Sequence, residues 1–301
     1  MDLSAESRAR IAAVTGGRLP ASVRVKVGAL GIHCLVWGEV SAPTAVLVHG
    51  NGGHGHWWDA LVPALVPGWR LVALDLRGHG ESDWAEPPAY RLEDFAADLT
   101  PVLDELTDGP IVLVGHSMGG RVALWFAGRH PDRIRGLVVL DSRMTRVGWG
   151  DAKRWRAQVA GKRHGRGYPT RAEALAAFRF VPPESGVPDV VLANLAHHAV
   201  HERGFGDWTF RFDRAVLALD GDGAIDLSAA LGRVRCPTML MAGSESWVMD
   251  AAEIQAIASA IPGCAARVFP GGHHFLTAHA AAVGCALREF LDALPARAVG
   301  R

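Results

Sequence analysis

Along this chain, short runs of apolar residues alternate with longer stretches in which apolar positions return every three or four residues. Thr44-Val48, Arg70-Leu74, Ile111-Val114 and Gly136-Leu140 have strand length and are apolar throughout or nearly so. Runs without polar alternation mark strands covered on both faces, and helical stretches between them, such as Arg121-Ala127, argue for right-handed βαβ units around a parallel sheet. Upstream, a helical segment precedes two more strands, Ser22-Val27 and Ile32-Trp37, with Gly28 and Gly31 supplying a hairpin turn. The rhythm returns late in the chain with Thr238-Ala242, a helix over Ala251-Ile261, a strand at Ala266-Phe269 and a closing helix from Ala278 to Leu294. Function in such a sheet is expected at the carboxyl ends of the strands.

Between Ser142 and Ala230 the strand rhythm stops, and tryptophan, arginine and proline-punctuated helical segments, Arg171-Phe180 and Asp189-His201, take its place. The expected organisation is a core built from residues 1–141 and 231–301, with a helical cap inserted at 142–230. No internal repeat or low-complexity linker interrupts it.

Composition narrows the classes. An apolar share of 49% over 301 residues is ample for a large core. Acidic and basic residues balance at 31 each, so no net field draws nucleic acid or an anionic membrane. The charged N-terminus, Met1 to Arg8, lacks the apolar centre of a secretory signal, and no stretch reaches the length of a membrane span, so a cytoplasmic protein is expected. Cys34, Cys236, Cys264 and Cys285 are scattered without a close pair, which suits reduced, mostly buried thiols better than a disulfide framework or a zinc site.

Directly after the apolar run Ile111-Val114 comes Gly115-His116-Ser117-Met118-Gly119-Gly120. Gly-x-Ser-x-Gly between a strand and a helix is the pattern of a nucleophile elbow, in which a serine is presented on a strained turn and the glycines let neighbouring backbone approach. Read alone, the pentapeptide fits any glycine-rich connection; in its strand–turn–helix setting it makes Ser117 the candidate nucleophile. His49-Gly50-Asn51-Gly52-Gly53 follows another strand, and Asp75-Leu76-Arg77-Gly78-His79-Gly80-Glu81-Ser82 follows the next. The first lacks the lysine and following Ser/Thr of a phosphate-binding P-loop.

With these three motifs the chain resembles the α/β-hydrolase family over nearly its whole length. The resemblance implies a mostly parallel eight-stranded sheet with helices on both faces and an inserted helical cap. It implies an oxyanion hole from the backbone amides of Asn51 and Met118, and no cofactor or metal. It also calls for a histidine late in the chain, which Gly271-Gly272-His273-His274-Phe275 supplies. His273 fits the spacing to the final helix better, with His274 the alternative base.

The acid departs from the usual pattern. The family's common Gly-x-x-Asp turn reads Gly243-Ser244-Glu245-Ser246 here, with serine in the aspartate's place. Asp141, ending the strand beside the elbow strand, is the expected acid, as in a subgroup of esterases that carry it after the sixth strand; Glu245 is the alternative, and a helix cap is Asp141's structural reading.

His197 and His201 share a helical spacing that suits a metal, but without a third ligand beside His198 they read as a solvated or pocket-lining patch. Arg143, Arg146, Lys153, Arg154, Arg156, Lys162, Arg163 and Arg166 make the start of the cap basic, which reads first as a solvated face and second as a lure for anionic substrates. Trp57, Trp58, Trp149, Trp155 and Trp208 are candidates for cap–core packing or the pocket wall. The expected function is serine hydrolysis of a small, largely apolar carboxylic ester or lactone. Alternatives are a carbon–carbon bond hydrolase of a ring-cleavage product and a non-catalytic ligand-binding member. The expected partner is the small-molecule substrate, with no nucleic acid or membrane; a homodimer is left open.

Overall fold

The computed structural model describes residues 3–144, 167–219 and 227–295. Helix α1 (Ala5–Thr15) starts on a Ser4 cap and ends on Gly16 in the left-handed region. It leads into β1 (Ala21–Val27), β2 (Leu30–Trp37) and β3 (Thr44–Val48). A 3-10 turn (Gly55–Leu61) and α2 (Val62–Leu65) come next, then β4 (Arg70–Leu74), α3 (Leu92–Leu106), β5 (Ile111–His116), α4 (Met118–Ala127) and β6 (Ile134–Leu140).

The segment that follows β6 contains, within the described residues, α5 (Arg171–Ala177), α6 (Asp189–Ala199), β7 (Val200–Glu202), β8 (Trp208–Phe210) and α7 (Ala215–Leu219). After α8 (Ser228–Leu231) the chain returns through β9 (Thr238–Gly243), α9 (Ala251–Ala260), β10 (Ala265–Phe269), α10 (Phe275–Ala278) and α11 (Ala280–Ala293).

Eight strands form one sheet in the order β1-β2-β4-β3-β5-β6-β9-β10. Only β1 with β2 and β2 with β4 pair antiparallel; the rest are parallel. Because strand residues alternate faces, the unbroken apolar runs feed two cores. Val46, Val48, Val72, Leu74, Leu113 and Val139 face one that includes residues of α3 and α4. Ala45, Leu47, Leu71, Ala73, Val114 and Leu140 face the other, which includes Trp58 and residues of α11.

Two expectations are corrected here. The predicted helix Asp189-His201 stops at Ala199, and the chain turns into a hairpin in which Val200 pairs with Phe210 and Glu202 with Trp208. The turn Gly204-Phe205-Gly206, with all three residues at positive φ, closes it. His201 is therefore on a strand, not on the helix face of His197. Helix α1 rests partly on the segment after β6: Ser7 meets His197 at 2.9 Å, and Val14 packs with Val191 and Leu195.

All four cysteines are free; Cys34 is buried, Cys236 and Cys264 are half-buried and Cys285 is exposed. Among the described residues no helix is long and apolar enough to cross a membrane.

Candidate active site

At the carboxyl end of β5, the chain turns into α4 through Ser117, held at φ 54° and ψ −119°. A non-glycine residue there is strained, and it persists because its surroundings over-determine it. The Ser117 amide donates to the Leu140 carbonyl at 2.9 Å, and Ser142 Oγ donates to the Ser117 carbonyl at 2.5 Å. The flanking glycines are required sterically. A Cβ on Gly115 would lie 2.3 Å from the Gly119 carbonyl oxygen, and one on Gly119 would lie 2.1 Å from that of Val48.

The loop after β10 brings His273 to this serine, with Nε2 at 2.9 Å from Ser117 Oγ. On the other side of the ring, Nδ1 is 2.6 Å from Asp141 Oδ2. Asp141 follows directly after β6, with no side-chain exposure and a positive φ of 45°. Its amide donates to Met241, its Oδ1 accepts from the Gly243 amide at 3.2 Å, and its Oδ2 also accepts from Ser246 Oγ at 2.5 Å. The serine at the family's usual acid position thus becomes a donor to the carboxylate. Sequence reasoning noticed Ser246 only as a missing acid.

Residues 43–179 match the family model described as alpha/beta hydrolase fold. The chain is also 32% identical over 245 residues to Esterase Rv0045c of Mycobacterium tuberculosis, which spans 78% of this chain and 76% of that protein. The chain belongs to the α/β-hydrolase family. A crystal structure of that esterase has a TM-score of 0.72 at 26% identity, covering 97% of this chain and all of the other (100%). E-2-(acetamidomethylene)succinate hydrolase has a TM-score of 0.80 at 24% identity over 91% of this chain and 100% of its own, a likeness of fold. The general function of this α/β-hydrolase is hydrolysis.

The alternative residues stand elsewhere in this hydrolase. His274 is buried and its ring packs on Trp57 at 5.1 Å and Phe180 at 5.2 Å, with neither ring nitrogen in a hydrogen bond to Ser117 among the described residues. Glu245 is exposed, and its amide donates to the Gly271 carbonyl at 2.9 Å. Burial, then the charge of His273, pushes the pKa of both His116 and His274 well below the ordinary histidine range. Both imidazoles beside His273 are therefore neutral near pH 7.

The amides of Asn51 and Met118 donate to no main-chain carbonyl among the described residues. Their loop is held from below. The backbone amide of Leu76 donates to His49 Nε2 at 3.0 Å, which leaves His49 Nδ1 as the donor to Gly50 O at 2.7 Å. Asp75 accepts from His33 at 2.7 Å and from the Gly55 and Glu81 amides at 2.6 and 2.9 Å. Burial alone would raise its pKa, but the His33 contact overrides this and holds it far below the carboxylate range. The conspicuous Asp75 motif is therefore a brace for the loops.

His116, His273 and His274 each bring one nitrogen within 4.8 Å of the others, a metal-sized cluster. Both His273 nitrogens are already engaged by Asp141 and Ser117, and His116 Nε2 by the His273 carbonyl at 2.9 Å, so a metal would have to displace these bonds. His197 is engaged by Arg171 at 2.5 Å and Ser7 at 2.9 Å. Arg143 donates to the Val248 carbonyl at 2.8 Å and faces Asp250 at 3.6 Å. Arg146, Lys153, Arg154, Arg156, Lys162, Arg163 and Arg166, with Trp149 and Trp155, lie outside the described residues. Trp57 stacks on His116, the residue before Ser117, and meets Phe180 edge-on, whereas Trp58 is fully buried in the core.

Proposed function

We propose that this hydrolase cleaves carboxylic esters of small, largely apolar molecules, and lactones next, through an acyl-enzyme on Ser117. The observation that carries the reading is the continuous line from Asp141 through His273 to Ser117 Oγ, with contacts of 2.6 and 2.9 Å. A serine hydroxyl is a poor nucleophile until a base takes its proton; His273 Nε2 is in place for that, and Asp141 fixes the ring with Nδ1 protonated.

Attack on the ester carbonyl drives charge onto its oxygen, and the Asn51 and Met118 amides are the proposed donors to it. His273 then gives its proton to the departing alcohol. Water repeats the sequence, and the acid leaves.

Relatives named as esters' hydrolases support the substrate class: Esterase Rv0045c, and the pimeloyl-[acyl-carrier protein] methyl ester esterase of Neisseria meningitidis, 39% identical over 106 residues and 34% of this chain. The aromatic pair of Trp57 and Phe180, with Trp57 stacked on His116 of the elbow, suits an apolar acyl or alcohol group. The test is turnover of p-nitrophenyl esters of graded chain length and several lactones by wild type and Ser117→Ala. Ester turnover lost in the variant supports the reading; no turnover of any substrate by the wild type rejects it. Fluorophosphonate labelling of Ser117 separates a catalyst from a binding protein.

A further inference from the structure

We propose that Glu184, in the segment between α5 and α6, is a positioning residue for the general base. The inference rests on the role assigned to His273 above. Glu184 Oε1 accepts from the Gly272 amide at 3.0 Å and Oε2 from the His274 amide at 2.8 Å. One carboxylate thus holds the amides of the two residues on either side of His273. Neither amide donates to a main-chain carbonyl among the described residues, so Glu184 is the acceptor that fixes them.

The loop needs such a hold. Gly271 and Gly272 follow Pro270, and Gly271 sits at φ 98°, so the backbone that aims the imidazole is intrinsically loose. The glycines also give the carboxylate room: a Cβ at Gly272 would stand 3.2 Å from Glu184 Oε2. Charge-assisted bonds from a carboxylate to peptide N–H groups are among the stronger ones, and a displacement of about 1 Å in a reacting group can lower rates about 100-fold. Phe180, four residues before Glu184, lies on the His274 ring at 5.2 Å, so the same segment grips backbone and side chain. Phe180 and Glu184 therefore belong to one stretch of chain that holds both the ring and the amide of His274 beside His273.

The test compares Glu184→Ala, Glu184→Gln and His273→Ala with wild type on p-nitrophenyl acetate, and follows amide hydrogen exchange in the 270–275 peptide. Glu184→Ala is expected to lower kcat about 10- to 100-fold with KM within about twofold, and to speed exchange in that peptide but not in β5 or β6. Glu184→Gln, which keeps the size and one acceptor oxygen, is expected to recover part of kcat; it also serves if the alanine variant does not fold. Wild-type kcat in Glu184→Ala beside an inactive His273→Ala, or a change in KM or melting temperature alone, overturns the brace and leaves the triad standing. Turnover retained in His273→Ala rejects the base assignment instead, while the exchange result still reports whether Glu184 holds the loop.

Discussion

Among the buried histidine–aspartate pairs of the described residues, His56–Asp59 and His273–Asp141 differ most. Only the latter of these two meets a serine hydroxyl, an arrangement it shares with His33–Asp75, whose His33 Nε2 lies 2.9 Å from Ser22 Oγ. His56 Nδ1 meets Asp59 Oδ2 at 2.9 Å within one short 3-10 turn, where Asn194 Nδ2 donates to the same oxygen at 2.8 Å and His198 stacks on His56 at 3.5 Å. His273 and Asp141 are 132 positions apart, and Ser117 is 156 positions from the histidine. The first pair follows from local spacing on ordinary backbone. The second exists because strand ends and a glycine loop converge, with Ser117 and Asp141 both at positive φ. Around Asp141 both carboxylate oxygens are bonded; around the other pair, His54 Nδ1, Asp59 Oδ1, Asn194 Oδ1 and His198 Nε2 have no partner among the described residues. A bonded carboxylate and a serine at the far ring nitrogen also occur at His33–Asp75; what singles out His273–Asp141 is the strained backbone that presents Ser117 and Asp141.

The sharpest way to break this contrast is to remove the Ser117 hydroxyl. Ser117→Ala is expected to lower kcat about 10⁴-fold or more and to abolish fluorophosphonate labelling, while circular dichroism stays native. Asp59→Asn on the other pair should leave kcat within about tenfold; a loss matching that of Ser117→Ala would erase the distinction.

Next comes the acid. Asp141→Asn should cost about 10³- to 10⁴-fold in kcat by favouring the wrong tautomer of His273. Because Ser246 Oγ lies 2.5 Å from the oxygen that meets His273, the double variant Asp141→Asn/Ser246→Asp is expected to regain at least about tenfold over the single one. Ser246→Ala alone should lower kcat about 10- to 100-fold, the size of one hydrogen bond to a buried charge. A silent Ser246→Ala would reduce that serine to packing.

The other pair is best probed by stability against pH. Burial, then the neighbouring histidine charges, pushes His54 down to about 3 and lowers His198 further. Their folded pKa values lie below the unfolded value of about 6.5, so the unfolded chain takes up protons the folded chain refuses. Stability is complete above that value and falls as pH drops from about 6.5 toward 3, by as much as about 1.4 kcal/mol per pH unit for each histidine. The urea midpoint should therefore be lower at about pH 5 than at about pH 7.5, and His198→Gln should shrink the difference. An unchanged difference would remove His198 from the account. The smallest expected effect is at the exposed Glu245: Glu245→Gln should keep kcat within about twofold.

Much of this was legible beforehand. Apolar runs of strand length gave the central strands nearly to the residue, because a buried parallel strand leaves no room for polar alternation. The elbow was legible because its two glycines answer a steric demand that any chain making this turn must meet. The hairpin of β7 and β8 was missed although Arg203-Gly204-Phe205-Gly206-Asp207 carries a turn signature; the helical spacing of His197 and His201 drew the reading past Ala199. Glu184 carried no signal at all, since a carboxylate in a proline-rich connection reads as solvated until its acceptor role is seen.

By itself, then, the sequence determined the layered sheet, the strained serine and the late histidine pair, because each is a local demand of backbone geometry or burial. The tertiary structure alone decided which imidazole nitrogen meets Ser117, that Ser246 donates to Asp141, and that Glu184 holds the loop between them. Those contacts join residues from 88 to 156 positions apart, and only the packing of the whole chain fixes distances across such separations.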